Sequence, residues 1–523
     1  MNEKELFACF LKSVLQSIEK EEAGEDLQIM AQELKQNYEK IKALGKEEAF
    51  FKFINTEYGD NKEICVFLLK YIYEMTHISE FLAAYLEMKL EETFLADGDL
   101  FLELNLREQI NGLLFLKGKM IPFPKEWEIN QRIAETGPTK LNTVYGEIKK
   151  EERDSELVVI FVKQLLVVTH APTRLLLEFA RIMQEKLGKK VWIISAVLKT
   201  DMELLNQMDV AGDFLVTNFA DQRGNCYVTY KEAVIPVYQL IVEKGNEEEI
   251  KAVWDKIYEL KPFCVWNLAA EPLWTAIAKQ FTTSLYTLMR QGYPAVCADT
   301  VVNYIPTARS GDKENKAFLL HKKIPVIETE FLFPYEKPSG NLKRSDVGIP
   351  EHVFCLGVAG TRLLTECNSL FLEALCRAAG EDEDLFVWFI GLSERDRTEM
   401  EKKLKGKLRR YLLTGSKNNL IDYQNLFDLF VNPPRIGGGN TGAMALSAGV
   451  PVLTLNKGDI ASVAGEEFTV ETLEDYPEMI WKYKNDAAFY ERQSKLARAK
   501  IEEKITGDEE LAAIIQNVFD RIG

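Results

Sequence analysis

Apolar residues in the first part of the chain recur every three to four positions, and charged residues occupy the positions between them. This spacing is typical of amphipathic helices that bury one face. It is clearest in three sets of residues: Leu6, Phe10, Val14, Leu15 and Ile18; Leu27, Met30, Leu34 and Tyr38; and Val66, Leu69, Tyr73 and Met75. The pattern predicts an all-helical domain over residues 1–150.

The pattern changes at residue 157, where an apolar and β-branched run extends to residue 170. Such a run predicts a buried strand, and helical spacing over 175–187 precedes a second apolar run at 191–195. A strand, a helix and a strand at these intervals predict a parallel βαβ unit. A further predicted strand at 263–268 belongs to the same Rossmann-like domain, residues 151–335.

Residues 334–349 contain proline, glycine, serine and mixed charge, and they predict a linker. The alternation of apolar runs and helical patterns then begins again, with predicted strands at 353–358, 386–390 and 426–431. This repetition predicts a second Rossmann-like domain, residues 336–523, whose last predicted helix covers 509–522. The predicted fold class is therefore α/β, with two Rossmann-like domains that face a cleft and a helical domain before them.

Three adjacent glycines, Gly437, Gly438 and Gly439, follow the predicted strand at 426–431, and Asn440 and Thr441 follow them. Glycine permits positive φ and a close approach of the backbone to a ligand. A helix predicted at 443–448 would direct its first N–H groups towards this loop, where they would attract a phosphate. The alternative is a tight strand-to-helix connection that binds no ligand.

Two arginines lie beside the predicted loop ends. Arg435 precedes the glycines, and Arg362 follows the glycine that ends the strand predicted at 353–358. A guanidinium group has a fork of donors that matches a phosphate. Either arginine could therefore bind an anion, although Arg362 could equally be a solvated residue at a helix start.

The composition narrows the class of protein. The chain of 523 residues has a net charge of −17, which disfavours general binding to nucleic acid or to an anionic membrane. Its eight cysteines are scattered and give no zinc-ligand spacing, so reduced thiols in a cytoplasmic protein are expected. No run approaches the roughly 20 apolar residues of a membrane span, and the N-terminus lacks the features of a signal peptide.

The sequence of 432–468, with its N-P-P-R, its three glycines, A-L-x-x-G-V-P-V-L-T-L and G-E-E-F, resembles the donor-binding half of bacterial GT-B glycosyltransferases. The resemblance implies transfer of a sugar from a nucleotide-diphosphate sugar, most plausibly a UDP-sugar, to a protein or glycan acceptor. It implies that the glycine loop, Arg435, Asn440 and Thr441 contact the donor. It also suggests that the helical domain docks the acceptor or another protein partner; the alternative is a structural appendage whose apolar stripes form only its own core.

The same resemblance implies roles for residues elsewhere in the chain. A His-Ala-Pro-Thr stretch that faces the cleft makes His170 the candidate for a base or a sugar contact; the alternative is a loop histidine packed on a strand end. The loop at 457–460 places Gly458 and Asp459 beside the donor, and Tyr423, with Asp422 before it, is expected near the nucleobase. Glu271 follows the strand at 263–268 and is a candidate base, or alternatively an acid that stabilises a helix N-terminus.

The chain departs from the family at one pair of positions. Many retaining members have two glutamates eight residues apart, where this sequence has Ile436 and Met444. The departure leaves two alternatives open: a subunit or chaperone of a glycosyltransferase complex that has lost activity, and a sugar-nucleotide 2-epimerase. No metal or other cofactor is expected, since cationic groups can neutralise the leaving diphosphate.

Overall fold

The structure, a computed structural model, describes residues 3–22, 27–58, 61–76, 78–96, 98–116, 120–163, 165–166, 170–199, 223–290, 292–303, 310–329, 338–380, 382–502 and 507–523. The chain divides into two compact units, Met1–Leu114 and Phe115–Gly523. This boundary assigns the helix at Phe123–Lys140, which the sequence analysis groups with the helical domain, to the second unit. The predicted domain boundary at 335–336 lies outside the described residues.

The first unit is helical and has its own aromatic core. Its helices are α1 (Glu3–Glu22), α2 (Gln28–Ala43), α3 (Glu47–Tyr58), α4 (Lys62–Thr76), α5 (Ser79–Leu95) and α6 (Leu100–Leu116), the last of which ends just beyond the boundary. Phe10, Tyr38, Phe50 and Phe81 are almost fully buried. Their rings contact one another at centroid distances of 4.9–6.3 Å. Most of the predicted apolar positions of α1 and α2 contribute to this core, whereas Leu15 is exposed.

The second unit begins with a helix and an eight-stranded sheet. The strands are β1 (Asp154–Val162), β2 (Lys190–Leu198), β3 (Gly224–Tyr230), β4 (Ala233–Val242), β5 (Pro262–Leu268), β6 (Thr283–Thr287), β7 (Thr300–Asn303) and β8 (Val326–Glu328). The helices are α7 (Phe123–Lys140), α8 (Ala171–Glu185), α9 (Glu247–Leu260), α10 (Pro272–Ala278) and α11 (Ser310–His321). The strand order is β3-β4-β2-β1-β5-β6-β7-β8, and only the β3–β4 pair is antiparallel.

The second sheet is parallel throughout and has the order β11-β10-β9-β12-β13-β14. Its strands are β9 (Phe354–Ala359), β10 (Leu385–Ile390), β11 (Tyr411–Thr414), β12 (Leu429–Val431), β13 (Val452–Leu455) and β14 (Thr469–Val470). The helices are α12 (Leu363–Glu366), α13 (Ser369–Ala379), α14 (Glu394–Leu404), α15 (Leu420–Gln424), α16 (Gly439–Ser447), α17 (Gly458–Ala464), α18 (Tyr476–Asn485), α19 (Ala487–Glu502) and α20 (Asp508–Ile522). Buried apolar side chains cover both faces of this sheet, as a parallel sheet requires.

The last helix, α20, packs into the core of the first sheet. Its apolar face, which includes Ile515, Val518 and Phe519, belongs to the same buried cluster as β1 and α8. The buried Arg181 of α8 donates hydrogen bonds to both carboxylate oxygens of Asp508, at 2.6 and 2.8 Å. The end of the chain is therefore joined to the first sheet although it follows the second.

Two predicted elements differ from those observed. The strand predicted over 157–170 ends at Val162 in the described residues, and α8 begins at Ala171. The helix predicted at 443–448 begins four residues earlier, at Gly439. In both places tertiary packing sets the boundary, because an apolar run carries no signal for where a strand stops.

Candidate functional site

The glycine loop, residues 437–440, lies at the end of the segment that follows β12 and includes the first residues of α16. Gly438 precedes the helix with φ of 98°, a left-handed conformation that glycine adopts without strain. Its carbonyl oxygen accepts the N–H groups of Thr441 and Gly442 at 2.9 and 3.1 Å. The first N–H groups of an α-helix point out of its N-terminus, a geometry that attracts anions.

Close packing explains why two of these positions are glycine. A Cβ atom on Gly438 would lie 2.9 Å from Nε of Arg435, and one on Gly439 would lie 3.0 Å from Cβ of Asp459. A Cβ atom on Gly437 would lie 3.7 Å from Nη2 of Arg362. The loop is thus enclosed by two arginines and a carboxylate, and Arg362 is its neighbour on one side.

Arg435 is buried and binds protein groups with each of its three nitrogens. Nε donates to Oδ1 of Asn432 at 2.8 Å, Nη1 to Oε2 of Glu366 at 3.0 Å and Nη2 to the carbonyl oxygen of Ala359 at 3.0 Å. These bonds join the ends of β9 and β12. In this structure Arg435 holds the loop in place, and its direct contact with a donor stays a prediction.

Glu366, which the sequence analysis did not select, joins the two arginines. Its Oε1 accepts Nε and Nη2 of Arg362 at 3.0 and 2.8 Å, while Oε2 accepts Arg435. Burial raises the pKa of the Glu366 carboxyl, but the charges and hydrogen bonds of Arg435 and Arg362 outweigh burial and hold this pKa below its ordinary value. The i,i+4 spacing of Arg362 and Glu366 is the sequence signal that could have identified the pair.

His170 lies before the first turn of α8, in the first sheet's half of the unit. Its Nδ1 is 2.9 Å from Oγ1 of Thr173, which also accepts the N–H of Leu166 at 2.9 Å. Burial, and secondarily the charge of Arg362, lower the pKa of His170 to about 4. The imidazole is therefore neutral at pH 7, and the charge of Arg362, which follows β9 of the second sheet, contributes to this lowered pKa.

A second link joins the two sheets at the same place. Nη2 of Arg174, in the first turn of α8, donates to Oδ1 of Asn440, in the first turn of α16, at 3.3 Å. The first turns of these two helices therefore lie close together. Arg174 was not among the residues selected from the sequence, because nothing local in the sequence indicates what it contacts.

The loop that precedes α17 packs against the glycine loop. Gly458 has φ of 80°, and a Cβ atom there would lie 2.5 Å from the carbonyl oxygen of Arg435. The N–H of Asp459 donates to the carbonyl oxygen of Ile436 at 2.6 Å. The structure thus brings Gly458 and Asp459 together with Gly437, Gly438 and Gly439.

Tyr423 lies on α15, beside α16. Its ring contacts Trp388 edge-on at 6.0 Å, and Nζ of Lys417 lies 5.0 Å from its centroid. Nε2 of the neighbouring Gln424 donates to the carbonyl oxygen of Thr441 at 3.0 Å, which fixes α15 against the start of α16. Asp422 accepts the N–H and the hydroxyl of Ser339 at 2.6 and 2.9 Å, so its carboxylate holds the segment before β9.

Glu271 lies elsewhere on the carboxyl edge of the first sheet. It follows β5 at the N-cap of α10 and is only 2% exposed. The hydroxyl of Tyr286 donates to the carbonyl oxygen of the preceding Ala270 at 3.0 Å. Both of its predicted roles, as a base and as a helix N-terminal acid, are compatible with this position and stay predictions.

Metal-binding clusters and membrane-spanning helices are both absent from the residues that the structure describes. Within those ranges, no three His, Cys, Asp or Glu side chains form a group that could hold a metal ion. Among the described helices, none combines the length and the apolar character needed to cross a lipid bilayer.

This chain is similar to known proteins at the level of solved structures. No family model matches the chain, and no curated protein matches it. An O-GlcNAc transferase from Thermobaculum terrenum, solved as a point mutant, is 12% identical and aligns over 99% of this chain and 98% of its own, with a TM-score of 0.50. The chain also matches a Rickettsia africae glycosyltransferase with 13% identity and a TM-score of 0.48, over 70% of this chain and 98% of that protein. It matches Anabaena HepE, solved with UDP-glucose, with 13% identity and a TM-score of 0.49, over 70% of this chain and 99% of that protein.

These neighbours are GT-B glycosyltransferases. The likeness to the Thermobaculum structure, which extends over the helical N-terminal region, confirms the predicted fold class. At this level of identity the likeness concerns the fold alone.

Proposed function

We propose that this protein is a glycosyltransferase that moves a sugar from a nucleotide-diphosphate sugar, a UDP-sugar, to a protein or glycan acceptor. The observation that carries the proposal is the cationic site at the start of α16, where Arg362 lies against the glycine loop and is fixed by the buried Glu366. The GT-B fold and the printed name of the Thermobaculum neighbour, an O-GlcNAc transferase, support it.

The proposed mechanism is stabilisation of the leaving diphosphate. When the bond between sugar and phosphate breaks, negative charge develops on the diphosphate, and preorganised donors stabilise it most effectively. The N–H groups at the start of α16 and the guanidinium of Arg362 would supply these donors. Arg435 would act mainly by holding the loop in place. Alternatively, Arg435 would contact the donor directly. No metal enters this scheme.

His170 is the proposed contact to the acceptor hydroxyl or the sugar. With its pKa near 4 the unliganded imidazole is neutral but only a weak base. A diphosphate bound at Arg362 would offset the positive charge that helps to lower this pKa, so the basicity of His170 would rise when the donor is present. Glu271 is kept as the second candidate for the base.

The remaining predicted contacts complete the donor site in this proposal. Asn440, Thr441, Gly458 and Asp459 would contact the donor's phosphates or sugar, and Tyr423 would lie by the nucleobase. The helical unit would dock the acceptor or a protein partner. We also propose a cytoplasmic location, consistent with eight cysteines that form no disulfide, all of them in described residues.

The test measures release of free UDP or GDP from a panel of UDP- and GDP-sugars. We expect one donor to be turned over by the wild type and Arg362→Ala to lower the rate by about 10²–10³-fold, the usual effect of removing a preorganised donor at a developing charge. Arg409→Ala is the matched control, because Arg409 pairs with Glu383 in exposed surface.

Three other results would contradict the proposal. Tight nucleotide binding with no turnover, together with a stable glycosyltransferase partner, would favour the subunit that has lost activity. Formation of an epimeric sugar nucleotide without release of UDP would favour a 2-epimerase. An undiminished rate in Arg362→Ala would show that the leaving group is stabilised elsewhere.

A further inference from the structure

Arg174 is a cation that the first sheet contributes to a site built mainly on the second. It is half-buried in the first turn of α8, and it contacts Asn440 across 266 positions of sequence. Asn440 directly follows the glycine that begins α16. The guanidinium of Arg174 therefore lies next to the N–H groups that the proposed function assigns to the diphosphate.

The contact between Arg174 and Asn440 is a weak one. The distance of 3.3 Å from Nη2 to Oδ1 of Asn440 is long for a hydrogen bond, and the acceptor is a neutral amide. A phosphate would offer a charged acceptor in place of a neutral one, with shorter and roughly twice as strong hydrogen bonds, often two in parallel. An anion at the start of α16 would therefore compete successfully with Asn440 for this guanidinium.

A second guanidinium lies beside the same loop. Nη2 of Arg362 is 3.7 Å from the position that a Cβ atom on Gly437 would take, and its carboxylate partner Glu366 is shared with Arg435. Asp459, an acidic residue, packs beside Gly439. Two guanidinium groups, one from each sheet, thus lie beside the glycine loop, and two cations suit a ligand with two adjacent phosphates better than a ligand with one.

We infer that Arg174 is a specificity-determining residue that exchanges Asn440 for the donor's diphosphate and so selects nucleoside diphosphates over monophosphates. This inference rests on the proposed function and adds to it a residue and a ligand class. It also gives the donor a contact to each sheet, so that nucleotide binding draws the first turn of α8 and the glycine loop to the same ligand.

The experiment is calorimetric titration of the full chain with UDP and with UMP, for the wild type, Arg174→Ala, Arg174→Lys and the control Arg409→Ala. We expect Arg174→Ala to weaken UDP binding by roughly tenfold and UMP binding by less than about twofold, as loss of one charge-assisted contact to the second phosphate predicts. Arg174→Lys should recover part of the UDP affinity, and Arg409→Ala should bind both as the wild type does.

The outcomes separate this inference from the proposed function. If the wild type binds neither nucleotide, the proposed function fails and the inference fails with it. If the wild type binds UDP and Arg174→Ala binds it equally well, the proposed function stands and the inference is wrong. An equal loss for UDP and UMP would also overturn it, since Arg174 would then shape the site without selecting the second phosphate. Thermal unfolding of each unliganded variant verifies that it is folded.

Discussion

Arg435 illustrates how far a single residue can be interpreted from sequence. Its position beside three glycines indicates an anion contact, and its structural partners indicate a supporting role. Those partners, Ala359 and Glu366, lie 76 and 69 positions away in the chain. Local sequence carries no record of such contacts, so the chemistry of the residue was predictable and its geometry was not.

The first prediction concerns the stability that Arg435 provides. We expect Arg435→Ala to lower the free energy of unfolding by about 3–5 kcal/mol, because it leaves the buried Glu366 with one cation fewer and the carbonyl of Ala359 without its donor. Urea unfolding measures this change. Arg409→Ala, which removes an exposed ion pair, should change the free energy by less than about 1 kcal/mol. A folded, equally stable Arg435→Ala that no longer binds UDP would instead show direct contact with the ligand.

His170 gives the second prediction, a dependence of stability on pH. The pKa of His170 is about 4 in the folded chain and has its ordinary value of 6.5 in the unfolded chain, so the unfolded chain binds more protons between these values. Stability must therefore fall as the pH is lowered from about 6.5 towards 4. His170 is half-buried and solvent reduces the effect, so we expect the contribution to be about 2 kcal/mol.

The measurement is the free energy of unfolding by urea at several pH values between about 4 and 7.5, for the wild type and His170→Asn. Between about pH 4 and 6.5 the free energy of unfolding should rise more steeply with pH in the wild type than in His170→Asn, because only the wild type takes up this proton on unfolding. Parallel curves would mean that His170 keeps its ordinary pKa in the folded protein. Addition of UDP should raise the pKa of His170 in the folded wild type, so the midpoint of the pH range over which its stability changes should move to higher pH.

At the scale of the element, the turn before α16 depends on its backbone. Gly438 has positive φ, and a Cβ atom there would meet the guanidinium of Arg435. We expect Gly438→Ala to destabilise the chain by about 1–3 kcal/mol and to abolish binding of UDP, since the loop must move. Gly406→Ala is the matched control, because φ of 76° is similar there and nothing lies within 4 Å of the added Cβ. It should show the backbone strain alone and bind UDP normally.

Elements of the parallel sheets were predictable because they repeat a simple pattern. Apolar runs identified β1, β2, β5, β9 and β10, and helical spacing identified α8. The ends of elements were less predictable. Gly137 and Pro138 are residues that usually end a helix, but both are buried in the last turns of α7, which packs against α10. Packing there outweighs the low helix propensity of the two residues.

At the scale of the whole molecule, the candidate site combines parts of distant sequence. The glycine loop could be predicted as an anion site from about thirty residues. Arg362 was also selected from sequence, and its spacing to Glu366 is a local signal. The approach of Arg174 could not be predicted, because it depends on the order of strands in two sheets. Sequence analysis therefore places the predicted chemistry on the second sheet, and the topology adds a cation from the first.

The last prediction concerns the helical unit, which has an aromatic core of its own. Every residue proposed for the donor site lies in the unit Phe115–Gly523. A variant that begins at residue 115 should therefore bind UDP within about twofold of the full chain and release UDP from the donor in the absence of acceptor. Incorporation of labelled sugar into protein or glycan of a host extract should fall strongly, because the proposed docking surface is gone. If the variant is folded by circular dichroism yet does not bind UDP, the helical unit contributes to the donor site itself.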